Sequence, residues 1–429
     1  MKKIYMRSSL NPLDCISQAR SVSRNVVNGN CGNMIFAHSV ARTLLCDDTQ
    51  IDTTRTRSTF SEEKLDRINS EYDCFVIPLA NAFRPDFKHE LRIITKAVKQ
   101  LKIPCIVIGI GVQARLDGSV NKEESFDKDA KKFMKAILEK SALVGIRGEV
   151  TADYLKRLGF QEERDFTVIG CPSMYLHGEK LPLKPVKELT PQSKVSVNRK
   201  VNLPGQLQDF IYESSLLFED AMYVAQGIDD LKLLYTGQPI SREKFPNMHP
   251  TYPATKDHPI YAKGREIGFV NVPSWMEFLA QRDFSFGSKI HGNITAVISG
   301  TPAFVFPSDS RIMELARYHN IQHLPADQIT EDTNIFDIYE KADFTSIHRG
   351  HKERFYHYLD FLEQNGLEHI FGKERVNRRT KFDEIMDSHN YPGGILPYTT
   401  VSKKEQLERR VCYASDQAKI WMKDIRHTK

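Results

Sequence analysis

No stretch of this 429-residue sequence approaches the roughly 18 consecutive apolar residues that a membrane span requires. The seven cysteines are scattered, odd in number and without a CxxC pair or a His-rich neighbourhood. That pattern predicts buried thiols in a reducing compartment and no structural zinc. The opening Met1-Lys-Lys-Ile-Tyr-Met-Arg7 is basic but has no apolar core, so a secretory signal is not expected there. No internal repeat is evident. Charge of one sign is also scarce: the net value is +5, and residues 373–429, with 13 Lys+Arg against 8 Asp+Glu, account for it. One weakly basic tail is not the basic face that nucleic acid requires. It reads as a solvated segment, or as a contact for an anionic lipid surface or lipid-linked substrate, where each cation gains about 1 kcal/mol. The expected location is cytoplasmic, with the inner face of the membrane as the candidate contact.

Length and pattern say more. A chain of 429 residues exceeds the size at which a single core stops growing. Short apolar runs without polar alternation mark strands covered on both faces, at residues 74–79, 105–110, 142–146, 167–169, 194–198 and 232–235. Helical periodicity separates them at 90–101, 128–140 and 150–158, with Gly159 as a stop. This alternation predicts an α/β fold with parallel sheets. The proline-rich segment 177–192 divides it into a first half, 1–180, and a second, 190–327; a helical, basic extension covers 328–429. A second proline-rich stretch, 246–259, reads as a long loop of the kind that serves as a lid or substrate-binding element.

Three strand-to-helix junctions are candidates for chemistry, because ligands of doubly wound sheets bind at the carboxyl ends of strands. The richest is Phe284-Ser-Phe-Gly-Ser-Lys-Ile-His-Gly-Asn293, read as a strand, a tight loop with Lys289 and His291, and a helix beginning near Asn293 and stopping at Gly300. A helix N-terminus with free N–H groups and a nearby lysine suits a small phosphorylated or carboxylated ligand. Asp309 and Arg311 follow the next strand, and Asn198-Arg199-Lys200 can face the same cleft. The second junction pairs Gly109-Ile-Gly-Val-Gln113 with Gly145-Ile-Arg-Gly148, where Arg147 either binds an anion bidentately or pairs with Glu149 or Asp153. The third is Asn28-Gly-Asn-Cys-Gly-Asn33 ahead of a helix at 34–45, either a substrate loop or a plain turn with an N-cap.

These residues carry a resemblance. Gly287-Ser-Lys-Ile-His-Gly-Asn293, Ser299-Gly-Thr-Pro302 and Asp309-Ser-Arg-Ile-Met-Glu-Leu315 resemble the signature of the polysaccharide pyruvyl transferase family. Arg147 in Gly145-Ile-Arg-Gly-Glu-Val-Thr-Ala-Asp-Tyr-Leu155, then Leu158-Gly159 and Ile169-Gly-Cys-Pro-Ser173, is similar to its central segment, and residues 28–33 to its N-terminal loop. The resemblance spans roughly residues 25–320. It implies two Rossmann-like domains around a central cleft, the GT-B-like architecture. It also implies transfer of the pyruvyl unit of phosphoenolpyruvate to a sugar of a surface glycan, or of its lipid-linked precursor, as a cyclic ketal. Arginine is usual in the family where this chain has Lys289; lysine keeps the charge without the planar fork.

Such chemistry needs cations for the donor's carboxylate and phosphate, a proton donor and acceptor, and exclusion of water, but no metal and no redox cofactor. The donor-binding candidates are Lys289, Arg199, Arg147, Gly292, Asn293 and Arg311. His291 is the candidate acid/base, with phosphate binding as imidazolium as its other role. Asn30, Gly32, Asn33 and Gln113 suit sugar hydroxyls. A nucleotide-sugar-dependent GT-B glycosyltransferase and a non-catalytic glycan-binding relative are the competing readings.

Overall fold

The computed structural model describes residues 1–54, 60–372 and 379–427. Eleven strands are named among them: β1 (Lys2–Met6), β2 (Thr49–Thr53), β3 (Cys74–Pro78), β4 (Cys105–Ile108), β5 (Val144–Ile146), β6 (Phe166–Val168), β7 (Lys194–Asn198), β8 (Asp220–Ala225), β9 (Glu266–Gly268), β10 (Phe284–Gly287) and β11 (Ala303–Val305). All their pairings are parallel. The first sheet runs β2-β1-β3-β4. It is extended toward the β5-β6 pair by Gly109 N–H to Gly145 O, 2.8 Å, and Arg147 N–H to Ile110 O, 3.0 Å. The second runs β11-β10-β7-β8-β9. Each half is thus Rossmann-like, with the order reversing between β1 and β3 in one and between β7 and β10 in the other.

Alternation along the strands divides the core into three layers. Tyr5, Phe75 and Ile77 face the outer side of the first sheet, and Val195, Val197 and Phe286 the outer side of the second. Ile4, Met6 and Val76 belong to a third layer shared by both halves, with helices Gly32–Leu44 and Ile290–Ile298 inside it. At about 25 cal/mol per Å² of apolar surface buried, a layer continuous across both halves holds the cleft walls in one arrangement.

The expected strand at 232–235 is instead part of helix Ile228–Thr236, which ends on the left-handed Gly237 (φ 77°). A short apolar run with buried neighbours does not distinguish strand from buried helix. The strand of this region is β8, just upstream. β1, β2 and β9 also escaped the pattern, the first two because lysine, threonine, glutamine and aspartate interrupt them.

Residues beyond 327 are not a separate appendage. Ile335, Tyr339 and Phe344 complete the second half's core, whereas Phe355, Tyr358, Leu359 and Phe361 return to the shared layer. The predicted solvated tail is partly anchored as well, since Arg42 holds Asp383 at 2.8 Å and Arg24 holds Asp416 at 2.9 Å. The basic residues at 373–378 and at the last positions lie outside the described side chains.

Candidate active site

The strand-order reversal between β7 and β10 dictates where the second half opens. Gly287 pairs with Asn198 and has φ 145°; a Cβ there would lie 1.8 Å from Asn198 O. Only glycine lets the two strand ends part at this point. Beyond it the helix starts at Ile290, not near Asn293, with Lys289 as its N-cap. The Asn293 N–H bonds Lys289 O at 3.2 Å and is not free for a ligand. Its fully buried side chain accepts from Asn198 Nδ2 (3.2 Å) and Ser285 Oγ (3.1 Å) and donates to Gly287 O (3.2 Å). Asn198 Oδ1 in turn accepts from Lys289 N–H at 2.7 Å. Asn293 therefore shapes the loop rather than contacting what binds there. The unpaired first-turn N–H groups belong to Ile290, His291 and Gly292, and Gly292 is closely covered by Gln226 and Asn198.

Between the halves lies a cavity of about 460 Å³. Lys289, His291, Lys200, Asp309 and Arg311 line it from the second half, Arg84, Asn81 and Arg147 from the first. Asn28, Asn30 and Asn33 form a neutral stretch of wall, and Asp229 and Asp230 line the cavity from the adjoining segment of the second half. The predicted loop 246–259 contributes Tyr252, and Ile240 and Phe245 just upstream also line the cavity.

The cations are placed in distinct ways. Asp309, the N-cap of helix Ser310–Tyr318, holds Lys200 Nζ at 2.6 Å and Arg311 at 2.9 Å. Burial alone would raise the Asp309 carboxyl, but these two cations hold it well below the ordinary range. Arg147 is 3% exposed; it donates to Asn81 Oδ1 at 3.2 Å, while its Nε has no partner among the described residues. Neither Glu149 nor Asp153 pairs with it. The nearby acid is Glu314, 4% exposed, which accepts from Thr151 N–H and Oγ1 at 3.2 Å across the two halves. Burial pushes the Glu314 carboxyl up to about 7, against the pull of Arg147. Lys289 has no ion pair among the described residues; burial lowers its pKa, and Asp230 and Cys31 oppose that.

His291 packs against the first half: a Cβ on Gly32 would lie 2.8 Å from its own Cβ, so only glycine admits the ring at this place. Its Nε2 is 3.8 Å from Cys171 Sγ. Burial, then the Arg147 charge, lowers its pKa to about 3, so the imidazole is neutral at physiological pH in the unliganded protein.

Of the predicted site residues, Lys289, His291, Arg147, Arg311, Asn30 and Asn33 line one cavity. Gly32 and Gly292 form its close packing. Gln113 is exposed and does not line it, its N–H bound to Phe83 O at 2.9 Å. Arg199 is the clearest correction. It points away from the cavity into the second half, 4% exposed, bonding Gln208 and Thr251 beneath the rings of Tyr212, Tyr223 and Tyr252. Its neighbour Lys200 occupies the place expected of it. Arg84, Asn81 and Gln226 were not foreseen. The first two follow β3 directly, so the strand-end rule would have found them; Gln226, 1% exposed on the cavity wall with an Nε2 that has no partner among the described residues, follows β8, which the pattern did not reveal.

Among the described residues no group of His, Cys, Asp and Glu could hold a metal ion, and no helix is long and apolar enough to cross a membrane. No curated protein matches the sequence. Among solved structures, the chain is similar to sucrose-phosphate synthase of Thermosynechococcus elongatus at 10% identity over 85% of this chain and 98% of that one, TM-score 0.43. It is similar to UDP-GlcNAc 2-epimerase of Methanocaldococcus jannaschii, in complex with UDP-GlcNAc and UDP, at 10% over 90% and 99%, TM-score 0.40. A third is HepE of Anabaena, in complex with UDP, at 13% over 85% and 98%, TM-score 0.40. The sequence profile of polysaccharide pyruvyl transferases matches residues 30–310, which include both cavity walls from Asn30 to Asp309. The chain therefore belongs to the polysaccharide pyruvyl transferase family.

Proposed function

We propose that this protein transfers the pyruvyl group of phosphoenolpyruvate to two hydroxyls of one sugar, in a polysaccharide or its lipid-linked precursor, forming a cyclic ketal and releasing phosphate. The observation that carries the reading is the convergence of Lys289, Lys200, Arg311, Arg147 and Arg84 on one cavity that also holds a neutral histidine. A small trianion with a carboxylate and a phosphate is the ligand such a cluster favours, and in a cleft shielded from water each charge counts for more.

In this scheme Lys289 and the first-turn N–H groups behind it bind the phosphate, and Arg147 binds the carboxylate from the opposite wall. His291, neutral before the reaction, takes the proton of the first sugar hydroxyl and delivers it to the methylene carbon, which becomes the methyl group. The hydroxyl oxygen bonds to C2. The C2–O bond to phosphate then breaks, and the second hydroxyl closes the ring; its proton leaves with the phosphate. The asparagine loop at 28–33 and Gln226 hold the sugar.

Release of inorganic phosphate from phosphoenolpyruvate, dependent on a glycan acceptor, is the test. His291→Ala and His291→Gln are expected to lower turnover by about 100-fold or more; near-normal turnover in both removes the histidine from proton transfer. Phosphoenolpyruvate at about 100 times its Kd is expected to add about 2.7 kcal/mol of stability, visible as a rise in Tm and lost in Lys289→Ala. A shift with nucleotide sugars alone would instead favour glycosyl transfer.

A further inference from the structure

A surface helix ordinarily turns its apolar stripe toward the core. Helix Lys403–His427 leaves a second apolar stripe facing outward. Its inner face packs Tyr413 on the core and is otherwise held by polar groups: Arg409 donates to Leu234 O (3.3 Å) and Leu396 O (2.9 Å), Asp416 pairs with Arg24, and Gln417 donates to Ser23 O at 2.6 Å. Its outer face carries Leu407, Val411 and Trp421, exposed by 64%, 59% and 68%, with Ala414 and Ala418 between them. The steps between these five positions alternate between four and three, which keeps them on one stripe of the helix.

The charges beside this stripe have one sign. At about 100° per residue, the charged side chains within about 60° of its centre are Lys403, Lys404 and Arg410. The nearest acidic positions, Glu408 and Asp424, lie about 100° from the centre on either shoulder, Glu408 3.9 Å from Lys404. Arg410 is held in place over the Tyr398 ring, 5.0 Å from its centre. A second copy of the helix is a poor occupant for such a face. Side by side in parallel, two copies would oppose cation to cation, and two of the five stripe residues are alanines with little surface to bury.

We infer that this outer face docks on an anionic lipid surface, with Leu407, Val411 and Trp421 entering the interface and Lys403, Lys404 and Arg410 contacting headgroups. An amphipathic helix of apolar stripe and cationic border binds membranes in this way, and tryptophan favours the headgroup level. The position fits the acceptor. The helix packs on Gln18–Ser23, which leads into the asparagine loop, and on Ile228–Thr236, whose first residues line the cavity. Docking would set the neutral wall of the cleft beside the bilayer. Only that placement of the acceptor rests on the proposed transfer to a lipid-linked sugar; the docking does not.

The test is sedimentation of the full chain with phosphatidylcholine vesicles, with and without about 30% phosphatidylglycerol, and needs no turnover. Retention on the anionic vesicles is expected, reversed by about 0.5 M salt, with a blue shift of Trp421 emission that is absent in Trp421→Phe; the other tryptophan, Trp275, is fully buried and serves as an internal constant. Each cation is worth about fivefold, so Lys403→Gln, Lys404→Gln and Arg410→Gln together are expected to weaken retention by about 100-fold. Leu407→Gln with Val411→Gln should abolish it at unchanged Tm, because both side chains are exposed. Retention that is absent, or unaltered in these variants, overturns the inference. So does self-association without lipid that the Leu407 and Val411 changes abolish, which would make a second copy the occupant. Vesicle binding without ketal formation would uphold the docking while counting against the proposed reaction.

Discussion

Two loops that feed helices face the cleft, one from each half, and they differ in chemistry: one is charged, the other neutral. On the second half, Lys289 and His291 stand on a loop fixed from below by Asn198, Asn293 and Ser285, a buried set of side-chain hydrogen bonds between parallel strand ends. On the first half, the asparagine loop is held mainly by its own turns. Asn25 and Asn28 both have φ 49°, Asn25 Oδ1 accepts from Gly29 N–H at 2.7 Å, and Asn33 donates to Val27 O at 3.1 Å. The loop meets the second half through Cys31 N–H to Gln226 O, 2.9 Å, and Ile228 N–H to Gly29 O, 3.1 Å. In the proposed reaction the charged groups that meet the donor sit on a rigid, cross-braced base, because small misplacements are costly in rate. Neutral amides, which donate and accept alike, tolerate a wall made of turns.

The sharpest way to test that contrast uses two adjacent residues. Arg199→Ala is expected to cost about 3 kcal/mol of stability, since it removes a buried guanidinium that bonds Gln208 and Thr251 and fills the space among three tyrosine rings. Phosphoenolpyruvate affinity per folded molecule should be unchanged. Lys200→Ala should do the opposite, leaving Tm within a few degrees while weakening phosphoenolpyruvate binding about tenfold. Urea unfolding and ligand titration of both variants check this; a binding defect in Arg199→Ala would mean that the two roles are not separate.

Glu314 gives the next effect, on the seam between the halves. Its folded pKa of about 7 stands above the ordinary 4.5, so the stability it contributes is complete below about pH 4.5 and lost as pH rises through 7. The loss is on the order of 3 kcal/mol. Glu314→Gln, which cannot ionise, is expected to flatten the Tm profile between pH 5 and 8; an unchanged slope would show that another group titrates the seam. The smallest effect belongs to the asparagine wall. Asn30→Ala should raise the acceptor KM several-fold and leave phosphoenolpyruvate binding as it was, which paired titrations of the two substrates would establish.

Much of the site was legible because short motifs encode local geometry. The glycine at 287, the lysine and histidine that follow, and the helix that stops at Gly300 are consecutive in the chain, so backbone rules alone bring them together. Arg147 was legible for the same reason, as the residue between a strand and a helix. Arg199 and Lys200 were not separable, because a strand end alternates its side chains and only the packed register decides which one turns inward. Asn293 looked like a helix start but is a buried brace, and nothing in its neighbours' sequence reveals its bonds to Asn198, some 95 positions away. Lys232–Tyr235 reads as a strand until the glycines on either side are seen to cap a helix.

The sequence by itself determined the α/β alternation in outline, the Lys289–His291 turn between a strand and a helix, and the family, because each depends on residues close together in the chain. Only the tertiary structure decided which cations share a cavity, that His291 is neutral, that Glu314 bridges the halves and that the last helix turns an apolar stripe outward. Those outcomes depend on burial and on charges brought together across hundreds of residues, and burial is a property of the packed whole rather than of any segment.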